Sequence, residues 1–198
     1  MGNFQSVSKF YSYNEFMQLM EELVRQGKTT GNQPPVFVYY TKLNLHRMQR
    51  WYKTLQPGED VIKAVQAIQP QTWWVINEAW CGDAAQTLPL MAKMAEAANG
   101  RIDLRIILRD ENAAIMDKYL TNGARSIPKL VATDKEGNDL FDWGPRPAYA
   151  QKMMMDWKAN NNGLTLEEKE KDLHLWYAKD KGQSTQHELL QILLGQVH

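Results

Sequence analysis

The run Thr72-Trp73-Trp74-Val75-Ile76 is apolar and bulky, with no alternation of polar and apolar residues. A strand wetted on one face alternates, whereas a strand covered on both faces reads as a continuous apolar run. The run thus reads as a strand with cover on both sides of its sheet, as in α/β proteins. The neighbouring residues supply the parts. Asp83 to Ala98 has helical character and ends at Asn99-Gly100, and Ile102 to Leu108 is a second apolar, β-branched strand. Asp110 is placed to cap a helix running through Leu120, with Asn122-Gly123 as its stop. Lys129 to Thr133 and Asp139 to Trp143 read as two strands around the turn Asp134-Lys135-Glu136-Gly137-Asn138. The order β-α-β-α-β-β is a crossover unit followed by a hairpin.

Both flanks read as helical. Ser12 and Glu15 have the spacing of a capping box, with Asn14 as a rival cap, and Phe16, Leu19, Met20, Leu23 and Val24 repeat at helical spacing. Gly27 and Pro34-Pro35 close that helix. Val36 to Tyr40 reads as a weak strand or turn, and helical stripes follow through Leu45, Met48, Trp51, Tyr52 and Leu55 and through Val61, Ile62, Val65 and Ile68. After Trp143-Gly144-Pro145-Arg146-Pro147 the chain turns helical again, with Tyr149, Met153 and Trp157 on one face. Asn160-Asn161-Asn162-Gly163 breaks that helix. Charged residues with Leu173 and Trp176-Tyr177 interspersed follow over 165–180, and Leu189 to Leu194 closes the chain. The expected organisation is a helical extension over 1–70, a core over 71–160 and a C-terminal helical extension over 161–198, in one structural domain.

Charge and composition exclude several function classes. Lys plus Arg and Asp plus Glu are each 23, so there is no net positive charge to attract a phosphate backbone, and nucleic acid is not an expected partner. No apolar run is long enough to cross a bilayer, and MGNFQSVSKFYSYNEF lacks the apolar core of a signal peptide. A cytoplasmic protein with no membrane partner is expected. One cysteine permits neither an internal disulfide nor a cysteine-based zinc site. His46, His174, His187 and His198 show no ligand spacing, and each reads as a surface or core histidine rather than a metal ligand. No metal and no cofactor are expected, and nothing in the sequence sets the oligomeric state.

One segment carries chemistry. Trp80-Cys81-Gly82-Asp83-Ala84 joins the central strand to the next helix. A thiol at a helix N-terminus faces free N–H groups and the positive end of the helix dipole, which favour the thiolate. Cys81 is thus a candidate nucleophile; the alternative is a buried, inert cysteine. Asp83 opposes thiolate formation if its charge lies near the sulfur, or it is a first-turn acid that stabilises the helix. Glu78 is either a base for the thiol or a solvated surface acid. Trp73, Trp74, Trp80 and Trp143 are candidates for an aromatic wall beside Cys81, with core packing as the alternative. Thr29-Thr30-Gly31 has no phosphate-loop pattern and reads as plain loop.

Trp80-Cys81-Gly82 after an apolar strand resembles the active-site motif Trp-Cys-Gly-Pro-Cys of the thioredoxin superfamily. Pro89 falls where that superfamily kinks its active-site helix, and Ser126-Ile127-Pro128 is similar to the loop that carries its cis-proline. The resemblance covers about residues 70–160 and implies a thioredoxin-like fold, a mixed central sheet flanked by helices, here with extra N- and C-terminal helices. The whole chain is similar to bacterial thioredoxin-like proteins with helices added at both ends. The resemblance further implies that Cys81 is catalytic and that Trp80, Gly82, Asp83, Ile127 and Pro128 contact substrate. The departures are equally specific. Ala84 stands in place of the resolving cysteine, Asp83 in place of the motif proline, and Val75 in place of the buried acid that accepts a proton during disulfide reduction.

Two functions fit. Cys81 could act alone in monothiol thiol–disulfide exchange, through a mixed disulfide with a thiol-containing protein or a low-molecular-weight thiol. Alternatively, the fold is retained as a redox-inactive module that recognises a peptide or protein partner beside Pro128.

Overall fold

The computed structural model describes residues 2–160 and 163–195. Its centre is strand β1 (Gln71–Asn77), which pairs in parallel with β2 (Ile102–Leu108) and antiparallel with β3 (Lys129–Thr133). Strand β4 (Asp139–Trp143) completes the order β2-β1-β3-β4. The central position of β1 explains its unalternating sequence. Trp73 and Val75 face one side and join a core with Leu88, Met91, Ile106 and Leu130. Trp74 and Ile76 face the other and pack with Phe4, Ile107, Met116 and Val131. Each face buries apolar surface, so neither set of alternate residues is polar.

The first face is covered by α1 (Tyr13–Gln26), α2 (Val36–Thr54), α3 (Glu59–Ala67), α4 (Ala84–Ala97) and α8 (Gln183–Leu194). Helix α1 begins at the expected capping box, with Ser12 and Glu15 exchanging backbone and side-chain bonds, and ends at Gly27 in the left-handed region. The second face is covered by the N-terminal segment through Phe4, whose ring stacks on Trp74 with centroids 4.8 Å apart, and by α5 (Ala113–Met116). Two helices remain, α6 (Ala148–Ala159) and α7 (Leu166–Asp180), which pack on each other.

Two expected elements differ. Val36 to Tyr40 is the first turn of α2 rather than a strand or turn. Pro34 and Pro35 lack the N–H groups that a helix start leaves unpaired, so here they open the helix as well as ending the loop before it. The helix expected from Asp110 through Leu120 shrinks to the single turn Ala113–Met116, led in by Asn112, and hydrogen-bonded turns carry the chain on to Tyr119. Of the residues discussed above, Asn161, Asn162 and His198 lie outside those described. No helix among the described residues is long and apolar enough to cross a membrane.

Candidate functional site

Cys81 lies in the turn between β1 and α4, where its carbonyl accepts the first helical bond, from Ala85 N–H at 3.2 Å. Its sulfur sits at the helix start: Ala84 N–H points at Sγ from 3.5 Å, and the thiol donates to the Ile127 carbonyl at 3.4 Å. The Ile127–Pro128 peptide bond is cis. These contacts bring the Trp80-Cys81-Gly82 motif against the Ser126-Ile127-Pro128 loop, and the thiol is 5% exposed.

That burial reverses the expected acidity. Loss of water pushes the Cys81 thiol up to about 12, the Asp83 carboxylate adds to the rise, and the helix-start N–H groups and Arg146 only partly offset it. A helix terminus stabilises a neighbouring charge by about 0.3–1 kcal/mol, whereas stripping water from an ionised group costs several. Desolvation therefore wins, and Cys81 is a neutral thiol.

Asp83 does more than favour a helix start. Its Oδ2 pairs with the Arg146 guanidinium at 2.7 Å, and Oδ1 accepts from the Tyr177 hydroxyl at 2.9 Å. Burial pushes the carboxyl above its ordinary range while Arg146 and Tyr177 draw it back, and the ion-pair geometry is that of a carboxylate held by a guanidinium. Arg146 comes from the loop between two prolines ahead of α6, and Tyr177 from α7.

Helix α7 also supplies His174, whose ring lies over Gly82: a Cβ there would meet His174 Cε1 and Nε2 at 3.2 Å. Its Nε2 faces Arg47 Nη1 at 3.1 Å and its Nδ1 faces Gln86 Nε2 at 3.0 Å. Burial and the Arg47 charge hold this histidine down to about 4, so it is neutral. Glu170, one turn earlier, accepts from the Tyr40 hydroxyl of α2 at 3.0 Å.

Between these elements lies a cavity of about 550 Å³, lined by Trp80, Cys81, Gly82, Asp83 and Ile127 together with residues of α2, α6 and α7. Five of the six expected site residues thus line one space, and Pro128 follows them in the chain outside its lining. Phe37 of α2 packs edge-on against Trp80 with centroids 4.8 Å apart, and the Arg109 guanidinium lies over the same indole at 5.0 Å. The aromatic wall is therefore Trp80 with Phe37 and Tyr40. Trp73 and Trp143 lie in the main core, where core packing is their role, whereas Trp74 shares a hydrophobic cluster with Cys81 and Trp80 without lining the cavity; the expected aromatic wall of all four tryptophans is thus corrected for Trp73 and Trp143.

Glu78 is not a solvated acid. It is 1% exposed, and its Oε1 accepts from Asp110 N–H at 2.9 Å. Burial pushes its carboxyl up, and a bond from Thr30 partly offsets the rise. Thr30 Oγ1 also accepts from Ala79 N–H at 3.0 Å, so the segment read as plain loop braces the turn that carries Cys81. Sequence reasoning missed Arg146, His174, Tyr177, Phe37 and Thr30 as parts of the site. Each lies far from Cys81 in the chain and in no recognisable motif. Among the described residues no group of three histidine, cysteine, aspartate or glutamate side chains is placed to hold a metal ion.

Residues 31–158 match the thioredoxin family Thioredoxin_9. No curated protein matches the sequence significantly. Two solved structures share the fold. One is a protein of unknown function from Pseudomonas aeruginosa, 18% identical with a TM-score of 0.53, over 93% of this chain and 98% of that one. The other is an HIV epitope scaffold, 17% identical with a TM-score of 0.55, over 93% of this chain and 99% of that one. At such identities the two structures speak for the fold alone, and they extend the likeness over the flanking helices. With a mixed β2-β1-β3-β4 sheet, helices on both its faces and a family match over most of its length, the chain belongs to the thioredoxin family.

Proposed function

We propose that this chain is a thioredoxin-fold binding protein whose cavity beside Cys81 receives a peptide or protein segment, and that it does not turn over disulfides. The observation that carries this reading is the setting of the thiol: buried, donating to the Ile127 carbonyl, and near the Asp83 carboxylate that opposes its ionisation. Thiol–disulfide exchange needs a thiolate with access to its partner. Ala84 and Val75 remove the other two parts of dithiol chemistry, the resolving cysteine and the buried acid that the family resemblance implies. What remains is a recognition surface. An aromatic wall and flanking arginines line a space of a size typical for small-ligand or side-chain binding.

Monothiol exchange through Cys81 is the second reading. The observation in its favour is the Ala84 N–H aimed at Sγ, the arrangement that stabilises a thiolate once water reaches it. Alkylation of Cys81 against pH, read by intact mass, separates the two. An inflection above the free-cysteine value of about 8.5, with no adduct from an oxidised low-molecular-weight thiol, is expected for the binding protein. An inflection below it with one adduct overturns the binding reading in favour of exchange. On a peptide array, Cys81→Ser is expected to keep binding and Trp80→Ala to lose it.

A further inference from the structure

The helix that closes over Cys81 is attached differently from the rest of the fold. Helix α8 is anchored by Leu189 and Leu193, both fully buried in the main core. Helix α7 buries Leu173 and Tyr177 in a separate small cluster with Ala150 of α6, edged by Met154, Trp157 and Trp176. Its reach to the body of the protein is polar: Tyr177 to Asp83 on the α4 side, His174 to Gln86 of α4 and Arg47 of α2, and Glu170 to Tyr40 of α2. Such bonds are exchanged for bonds to water when they open, so each contributes modestly to closure. A unit held by polar bonds over little shared apolar surface opens at lower free energy than the core around it. Glu170, Leu173 and His174 of this helix line the cavity that Cys81 also lines.

We propose that α7 is a lid over the Cys81 cavity, latched shut by Tyr177–Asp83 and His174–Gln86 and opening together with α6, on which it packs through Tyr149 and Ala150, while the sheet and the other helices stay folded. The proposal rests on the reading of that cavity as the binding site and assigns its control to α7. Gly82 belongs to the device: a hydrogen in place of a Cβ lets the His174 ring close down on the helix start. Opening widens the cavity that Cys81 and α7 line together, so it admits a ligand and water to the thiol in one motion.

The single cysteine makes the motion measurable. Iodoacetamide labelling of the full-length protein at pH 8 is followed by intact mass over a urea series below the unfolding transition. Wild type is expected to label slowly, at a rate unchanged by low urea, because a local opening exposes little surface. Tyr177→Phe removes one hydrogen bond to a carboxylate, and His174→Ala removes the other latch. Tyr177→Phe is expected to speed labelling about ten- to a hundredfold and His174→Ala about two- to tenfold, each lowering the urea midpoint by the same free energy. The core substitution Phe16→Leu, far from α7, is expected to lower the midpoint and leave the low-urea rate unchanged. The lid is overturned if wild-type labelling climbs with urea along the slope of global unfolding. It is equally overturned if Phe16→Leu speeds labelling as much as the latch variants do at equal loss of stability. The readout needs no ligand, so failure of the lid leaves the peptide-array test of binding standing, and a silent array leaves the lid standing.

Discussion

At Cys81 a helix terminus and a low-dielectric burial compete for the same proton, and the outcome turns on neighbours distant in sequence. The helix-start N–H groups reach the sulfur, but Asp83 stands beside it and water does not. Asp83→Asn deletes the opposing charge and leaves Arg146 unneutralised near the thiol. The Cys81 inflection is expected to fall below about 12, as read by alkylation against pH. The same change strands a buried guanidinium, at a cost of about 3 kcal/mol in a denaturant titration. An unchanged thiol inflection in this variant would show that burial alone sets the acidity. Gly144 is a second residue with a defined role. It sits at φ +112° against the Pro128 carbonyl oxygen, where a side chain would overlap the backbone that follows Ile127.

At the scale of elements, the strands were legible because their signal is local. β2 falls at the residues its apolar, β-branched run indicates, β3 and β4 at the two sides of the turn Asp134-Lys135-Glu136-Gly137-Asn138, and the capping box of α1 is a complete start signal in four residues. Where the reading failed, the local signal was ambiguous. Val36 to Tyr40 has strand-like composition, yet it packs as a helical turn whose Phe37 meets Trp80 across the cavity. Asp110 has the chemistry of a cap, but its carboxylate accepts from Arg109 and Gln33 instead of from a helix start, and the helix begins later and stays short. Helix α8 shows the converse: a brief apolar stretch near the chain end is part of the main core. Leu189→Ala is expected to cost about 2–5 kcal/mol, as a lower urea midpoint. A cost near zero would mean that α8 is peripheral.

At the scale of the molecule, the C-terminal helices return across the chain to finish a site begun more than ninety residues earlier, as the 94-residue separation of Tyr177 from Asp83 records. One consequence is a dependence on pH. The His174 ring faces Arg47 from α2 and Gln86 from α4, with Glu170 and Tyr177 on its own helix; the two facing side chains present N–H donors. A neutral imidazole accepts from one of them, and an imidazolium accepts from neither. The ring is held down to about 4 from an ordinary 6.5, so its proton is taken up more readily by the unfolded chain. The stability tied to the neutral ring is complete above about 6.5 and is lost as pH falls toward 4. Urea midpoints measured across that range are expected to fall more in wild type than in His174→Gln; parallel curves would exclude the histidine as the source. The amino-acid sequence by itself determined the α/β class, the strand order along the chain and the junction that carries Cys81, because periodicity, turn residues and caps act over a few neighbours. Only the tertiary structure decided that the thiol is buried, that Asp83 is bound to Arg146 and Tyr177, and that α7 lines the cavity. Desolvation and ion pairing depend on which distant segments meet, and no local pattern encodes that meeting.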